Sequence, residues 1–497
     1  MRFATLALIA FLLLLPPAAA ETGIAAFQPA NNSAWLSSQQ WNTTNWTASA
    51  NLTELVRTKA VQWTRLANSP FRDELAIGTL DSNQSVKVQF LSNTTNHSLT
   101  NITNATGTST YRSFDLAMDR TNGTLMVVAA ANSSGGLVYS RWNGSWFENG
   151  SIATGLSAQV NWARLAGRNN SAELMLVTLD ANADLMAVPW NGTAWLAPQS
   201  LDNSTESATT EPFDVAYEAV TGRAFVAWGN ATTAAPRYRI YSSSGWSSTS
   251  SVSASAGQSA NYGWLRLKAF PATDRLLLCT ADGSDDLNCA QWDGSVWGTA
   301  KELDASIEND AAAMRNFDLA AEPASGGWAV LYGDNNLDYF SFARCQTAAN
   351  CANGVWEAVQ TFWSGVDIGT DTAWASLEAD PVLAGNLTAL MADQTDQQWR
   401  GTIHCDSTAN SCATSGNPAL LGASNDSSYE SAAFAYTPVR TNLTALTASP
   451  STLKGGDTIT IDAGALADPN NNSLSFSCSE TGLPGPGLTN CTGGTTT

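Results

Sequence analysis

The sequence predicts an all-β fold, an eight-bladed β-propeller closed by strands from both ends of the chain, and three observations carry that prediction. A motif recurs about every fifty residues, a spacing at which one small sheet repeats around a ring. The repeats alternate. Odd units open with Trp63-Thr64-Arg65-Leu66-Ala67, Trp162-Ala163-Arg164-Leu165-Ala166 and Trp264-Leu265-Arg266-Leu267, and even units with Phe114-Asp115-Leu116-Ala117, Phe213-Asp214-Val215-Ala216 and Phe317-Asp318-Leu319-Ala320. Thirdly, each unit continues into an apolar run and then a polar turn, which is the grammar of short antiparallel strands.

Within a unit, the opening motif supplies the first strand. The second is an uninterrupted run such as Glu173 to Asp180 or Leu125 to Ala129. The third ends at a tight hairpin: Trp142-Asn143-Gly144-Ser145-Trp146, Trp190-Asn191-Gly192-Thr193-Ala194-Trp195 or Trp292-Asp293-Gly294-Ser295-Val296-Trp297. Asn-Gly and Asp-Gly predict a type I′ turn there, in which both central residues take positive φ. A fourth strand follows. The eighth unit is divided: Ala433-Phe434-Ala435-Tyr436 aligns with Asp214 to Tyr217, while Thr22-Gly23, Asn31 to Trp41 and the hairpin Trp41 to Trp46 match the remainder of a unit. Seven complete blades with loose flanks is the alternative.

The chain begins Met1-Arg2, runs through apolar Phe3 to Leu15, and continues Pro16-Pro17-Ala18-Ala19-Ala20, the form of a secretory signal cleaved after Ala20. The apolar stretch is shorter than the roughly 20 residues of a spanning helix. Expected domains are therefore a signal at 1–20, a propeller at 21–440 and a separate segment at 441–497. That last segment holds Ser449-Pro450-Ser451-Thr452-Leu453-Lys454-Gly455-Gly456-Asp457 and an alternating strand, then Asp468-Pro469-Asn470-Asn471-Asn472. It resembles the start of Ig-like, PKD or cadherin-like modules of cell-surface proteins, and at this length the resemblance implies an incomplete β-sandwich.

A net charge of −20 carried by only 13% charged residues gives a sparsely charged acidic surface. Such a surface repels nucleic acid and anionic membranes. Asn-x-Ser/Thr acceptors include Asn42, Asn45, Asn51, Asn83, Asn93, Asn96, Asn101, Asn104, Asn122, Asn143 and Asn191; seventeen lie at or before Asn230 and none between Ala231 and Gly385. If used, they coat one sector of the ring and leave another bare. Turn composition alone also generates such sequences. The cysteines fall into close pairs, Cys279 with Cys289, Cys345 with Cys351, Cys405 with Cys412 and Cys478 with Cys491. Pairs that bracket hairpins in an exported chain read as local disulfides. Zinc ligation, the other reading, finds no Cys-x-x-Cys and only His97 and His404.

The alternating Arg65, Asp115, Arg164, Asp214, Arg266 and Asp318 predict an inter-blade charge ring, with neutral Ser376 and Ala433 at the corresponding positions of the last two units. Buried charges need partners. A ligand-binding ring of arginines is the rival reading. Two histidines leave little material for Ser-His or Cys-His chemistry. Carboxylates are denser in the seventh unit, where Glu378, Asp380, Trp399 and Arg400 make the candidate binding set and a glycosidase-like pair could be assembled. Calcium has one candidate loop, Asp180, Asn182 and Asp184, which resembles the acidic loops of integrin-type propellers but lacks the oxygen count calcium prefers.

The Trp-Asn-Gly-x-Trp hairpins are similar in position to the Asp-box turns of sialidase-type propellers and to the repeats of propeller lectins. The motif Ser-x-Asp-x-Gly-x-Thr-Trp is absent, so no catalytic residue is carried across. The whole chain resembles prokaryotic surface propellers with Ig-like appendages. That resemblance implies a secreted, glycosylated, non-catalytic scaffold for adhesion or surface assembly, with carbohydrate or surface proteins as partners and no resident cofactor. A polysaccharide-acting glycosidase or lyase is the alternative.

Overall fold

The computed structural model describes residues 23–436, apart from internal stretches of which 30–35, 52–58, 92–98, 308–313, 364–372, 381–386, 413–418 and 424–428 are the longest. The signal expected at 1–20 and the Ig-like segment expected at 441–497 lie outside the described residues. Seven antiparallel sheets of successive strands form the blades of a β-propeller. The third is representative: Val160–Gly167, Leu174–Asp180, Leu185–Trp190 and Gln199–Asp202 pair in that order. The fourth blade adds a fifth short strand, Ser250–Ser251, beside Thr233–Ser242. In the seventh, Cys405–Asp406 and Ser411–Cys412 form a separate two-stranded ribbon before Ala419–Ala423 returns as the outer strand.

Burial explains the strand sequences. The first two strands of a blade are covered on both faces by the neighbouring blades, so Phe213–Tyr217 and Leu174–Asp180 are buried at every position and read as continuous runs. The outer strand Trp146–Ile152 instead alternates between half-buried and exposed residues before it ends at buried Ile152. Between blades, Gly78 leaves room for the Leu116 side chain, which a Cβ would meet.

The hairpins differ from the expected turn. Only the glycines carry positive φ, 111° at Gly144, 95° at Gly192 and 106° at Gly294. At Asn191 and Asp293 the side chain holds the turn: Asn191 Oδ1 accepts from the backbone N of Thr193 at 3.0 Å and of Ala194 at 2.8 Å, and Asp293 Oδ1 from Ser295 N at 2.7 Å and Val296 N at 2.9 Å. This is an Asx turn rather than type I′.

One more four-stranded sheet joins the two ends of the described chain. Ala432–Tyr436 pairs with Gly23–Phe27 in the register Gly23 to Tyr436 and Phe27 to Ala432, and Ser37–Trp41 and Ala50–Asn51 follow outward. It touches the first blade through Thr64 N to Glu430 O (3.0 Å) and Asn68 Nδ2 to Tyr436 O (3.0 Å). On its other side the hydroxyls of Thr388 and Tyr436 lie 2.6 Å apart.

Disulfides join Cys279 to Cys289, cross-strand neighbours in the fifth blade, and Cys345 to Cys351, which ties the short helix Ala348–Ala352 to the sixth. Cys405 and Cys412 are paired in backbone register. Cys478 and Cys491 lie outside the described residues.

The first strands meet at the axis, where charge is concentrated. Arg164 Nε lies 3.4 Å from Asp214, Arg266 bridges Asp214 (3.0 Å) and Asp318 (3.2 Å), and Arg65 Nε lies 4.0 Å from Asp115. A second tier, three residues earlier in the even units, interleaves with the first. Arg112 meets Glu211, Glu211 also meets Arg164 at 3.0 Å, and Glu430 meets Arg65 at 3.0 Å. Arg315 approaches Asp318 at 3.7 Å. Where Ser376 and Ala433 drop out of the ring, Glu430 takes up Arg65, and Lys268 crosses to Asp318, the carbonyl of Leu377 and Glu378.

Burial pushes Arg112 down to about 9, with Arg65 adding to the effect against Glu211. Burial would also raise the Glu430 carboxyl, but Arg315, Arg65, Arg112 and Arg164 outweigh it and hold it at about 2. Asp318 is held far below the ordinary carboxylate range by Lys268, Arg266 and Arg315 against the same burial. Depressed carboxyls contribute stability above their unfolded pKa and lose it as pH falls through that value toward the folded one. Asp318→Asn takes a buried carboxylate from Arg266, Lys268 and Arg315 and is expected to cost about 3 kcal/mol in urea denaturation. Glu430→Gln should lower stability at pH 7 and flatten the acid limb of the profile below about pH 4.5. A wild-type acid limb in that variant would remove Glu430 as its source.

Candidate functional site

Antiparallel register sets Leu125 opposite Trp142, so the turn between the first two strands and the hairpin after the third share one face of each blade. Four successive blade boundaries carry an aromatic cluster with an arginine and a carboxylate there. At the first, Phe90 stacks on Trp142 at 4.4 Å and lies 6.0 Å from Trp146, while Glu74 accepts from Trp142 Nε1 (3.4 Å) and pairs with Arg72 (2.7 Å). At the second, Tyr139 lies 6.0 Å from both Trp190 and Trp195. Arg141 sits 5.0 Å above the rings of Phe147 and Trp190, and Glu148 takes Arg141 Nη1 at 2.6 Å and the Tyr139 hydroxyl at 2.8 Å.

The third boundary has Arg168 paired with Glu173 at 2.5 Å, Tyr241 against Trp246 at 5.1 Å, and Arg239 5.6 Å over Trp246. Burial and then the nearby Glu173 charge raise the Tyr241 phenol. At the fourth, Phe225 and Tyr238 from one blade meet Trp292 (4.9 Å) and Trp297 (5.8 Å) from the next. Arg223 donates to both oxygens of Glu218 through Nε and Nη2 at 2.5 and 2.6 Å, and Trp292 Nε1 donates to the same carboxylate at 2.7 Å. Arg223 also reaches the Gly294 carbonyl at 2.9 Å, which fastens turn to hairpin.

Each cluster offers an aromatic surface beside a fixed fork of donors and a carboxylate. The second tryptophans, Trp146, Trp195, Trp246 and Trp297, are half-buried, and exposed Phe147 (48%) and Val296 (60%) flank two of the clusters. A small ligand with one apolar face and several hydroxyls could stack and hydrogen-bond at once.

The residues singled out in the sequence are placed as follows. Asp180 is buried, and its Oδ1 accepts from the backbone N of Asn182 (2.9 Å) and Asp184 (3.0 Å), while Oδ2 takes Ala158 N (3.3 Å). Asp81, Asp282 and Asp334 brace equivalent turns in the same way. In the loop singled out for calcium, the Asp180 carboxylate braces the turn by accepting from backbone N–H donors. Among the described residues no group of three His, Cys, Asp or Glu is placed to hold a metal ion.

Glu378 pairs with Lys268 at 3.2 Å near the axis, and Asp380 is buried just beyond the same strand. Trp399 and Arg400 stand in Gln398–Gly401, paired with Ala392 and Met391. Asn83, Asn101, Asn104, Asn122, Asn143 and Asn191 are exposed, whereas Asn42, Asn45, Asn93 and Asn96 lie outside the described residues and Asn51 ends a strand.

The boundary pairs Arg72 and Glu74, Arg168 and Glu173, and Glu218 and Arg223 escaped the sequence reading. They stand just ahead of the apolar second strand in the first, third and fourth blades. Aligning the units on that run instead would have exposed them, and also the second axial tier of Arg112, Glu211, Arg315 and Glu430.

No family model matches the chain, and no curated protein is similar to it in sequence. Among solved structures it is similar to the BP39L lectin from Burkholderia pseudomallei, with a TM-score of 0.49 and 14% identity over 73% of this chain and 100% of that one. It is also similar to AofleA from Arthrobotrys oligospora (TM-score 0.36, 13% identity, 57% and 87% covered). A fucose-specific lectin from Aleuria aurantia gives a TM-score of 0.35 and 11% identity over 56% of this chain and 89% of that one.

One brace carries an acid that its neighbours disfavour. Burial first, then Asp282, Glu302, Asp285 and Asp304, raise the Asp286 carboxyl to about 6. A raised carboxyl contributes stability at low pH that is lost as pH climbs through the folded value. Asp286→Asn should therefore raise the melting temperature at pH 7 by roughly 2–4 °C. The gain should fade as pH is lowered from 6 toward 4, and a pH-independent shift would assign it to packing.

Proposed function

We propose that this protein is an extracellular, non-catalytic carbohydrate-binding propeller whose rim clusters, where open to solvent, take a neutral sugar. The observation that carries the reading is recurrence: tryptophan or tyrosine pairs with an Arg and a Glu stand at four successive blade boundaries. A pyranose has a C–H face for the indole and a rim of hydroxyls for the charged fork. Catalysis calls for one asymmetric constellation, whereas the same binding chemistry can be repeated from boundary to boundary.

The same reading takes the sheet of mixed ends as the eighth blade that closes the ring, since Ala432–Tyr436 from one end of the chain pairs with Gly23–Phe27 from the other. The axial charges are read as blade-to-blade structure and the rim as the contact surface. Export fits the apolar leader and the disulfides, and a role in adhesion or surface assembly fits a rigid disc with repeated sites.

The test is the full mature chain on an array of neutral and acidic glycans, followed by Arg72→Ala, Arg141→Ala, Arg168→Ala and Arg223→Ala singly and together. Selective binding should weaken about tenfold for each cluster that contributes, a loss of ~1.4 kcal/mol. Silence across the array, or binding indifferent to the fourfold variant, would reject the rim as a sugar surface. Release of reducing ends from any arrayed polysaccharide would move the reading to an enzyme.

A further inference from the structure

Three of the four rim clusters have an exposed Asn-x-Ser/Thr acceptor at their edge, and the fourth has none. Asn143-Gly144-Ser145 follows Trp142 at the first boundary and Asn191-Gly192-Thr193 follows Trp190 at the second. Asn169-Asn170-Ser171 occupies the turn between Arg168 and Glu173 at the third. At the fourth, the turn reads Glu218-Ala219-Val220-Thr221-Gly222-Arg223 and the hairpin Asp293-Gly294-Ser295, neither of which is an acceptor.

The fold does not require this difference. Asn191 Oδ1 accepts from Thr193 N (3.0 Å), Thr193 Oγ1 (2.9 Å) and Ala194 N (2.8 Å). Asp293 Oδ1 accepts from Ser295 N (2.7 Å), Ser295 Oγ (2.8 Å) and Val296 N (2.9 Å) in the matching turn. The turn uses one oxygen that Asn and Asp both possess. What Asn adds is an amide nitrogen, and at Asn143 and Asn191 it makes no hydrogen bond among the described residues and stands in an exposed tip. Asn169 is exposed as well.

We infer that Asn143, Asn169 and Asn191 are N-glycosylation sites whose sugars cover the first three rim clusters, leaving the Arg223, Trp292 and Trp297 cluster as the open site. This rests on the rim being the contact surface. In the modification the amide Nδ2 attacks the anomeric carbon of a polyisoprenyl-pyrophosphate oligosaccharide. The N–C1 bond forms, the C1–O bond breaks, and polyisoprenyl pyrophosphate leaves as the amide gives up one proton. Each acceptor sits within a residue or two of its cluster in sequence, and consecutive Cα atoms are about 3.8 Å apart, so even a core pentasaccharide overhangs the aromatic surface.

The experiment is hydroxyl-radical footprinting of the full chain from a glycosylating host, read by peptide mass spectrometry. It compares the wild type with Asn143→Asp, Asn169→Asp and Asn191→Asp combined; the two hairpin substitutions copy the fifth blade's Asp293-Gly294-Ser295. Peptide mapping should find all three asparagines occupied. Oxidation of Trp146, Trp195 and Trp246 should rise several-fold in the variant, with Trp297 equal in both. Unoccupied asparagines, or tryptophan oxidation that does not change, would overturn the inference without touching the sugar-binding reading. Conversely, a normal footprint with no array binding sensitive to Arg223→Ala would leave the glycans in place and reject that reading.

Discussion

Matching buried charge at the axis is the constraint on which the rest of the molecule depends. A ring of first strands crowds the inward side chains of every blade into one narrow column, and here that column is filled with arginines and carboxylates rather than aliphatic groups. Desolvation makes each one costly alone. The column is tolerable only while each guanidinium faces carboxylates from adjoining blades, as Arg266 faces Asp214 and Asp318. Correct blade order is thereby selected against misdocked ones, because a displaced blade would leave like charges together. Two residues before the arginines on the same strands, Trp63, Trp162 and Trp264 meet edge to face at 5.3 and 5.5 Å and form an apolar tier beside the charges.

Much of this was legible in the sequence because repetition writes the fold many times over. The period, the four strands per unit and the alternation of Arg with Asp survive inspection of one chain. The turn at Asn191 departs from type I′ because Asn serves two chemistries, a tolerated positive φ and a side-chain acceptor, and residue type alone does not say which is used. Asp180 was ambiguous for the same reason: a carboxylate that braces N–H groups and one that binds calcium look alike in sequence. The rim arginines were hidden by variable order. Arg168 precedes Glu173, but Glu218 precedes Arg223, so the salt bridge is retained while the letters exchange places.

The rim follows from the same geometry as the axis. Blades diverge outward, so the boundary that is sealed by first and second strands opens between third and fourth strands, and large aromatic rings are what fill a widening wedge. Trp142 and Trp292 are nearly buried as wedge packing, while Trp146 and Trp297 across each hairpin remain half-open. The Arg–Glu forks then do two jobs, fastening the turn of one blade to the hairpin of the next and holding donors in fixed directions, as Arg223 does between Glu218 and Gly294.

The alternation at the axis also restricts how such a chain can change its size. With Arg and Asp succeeding one another, a single added or deleted unit would bring two arginines or two aspartates face to face, whereas a doublet preserves the pattern. Such a pattern changes length most readily by pairs of units, about a hundred residues at a time, and Ser376 and Ala433 are the uncharged members that follow its charged run.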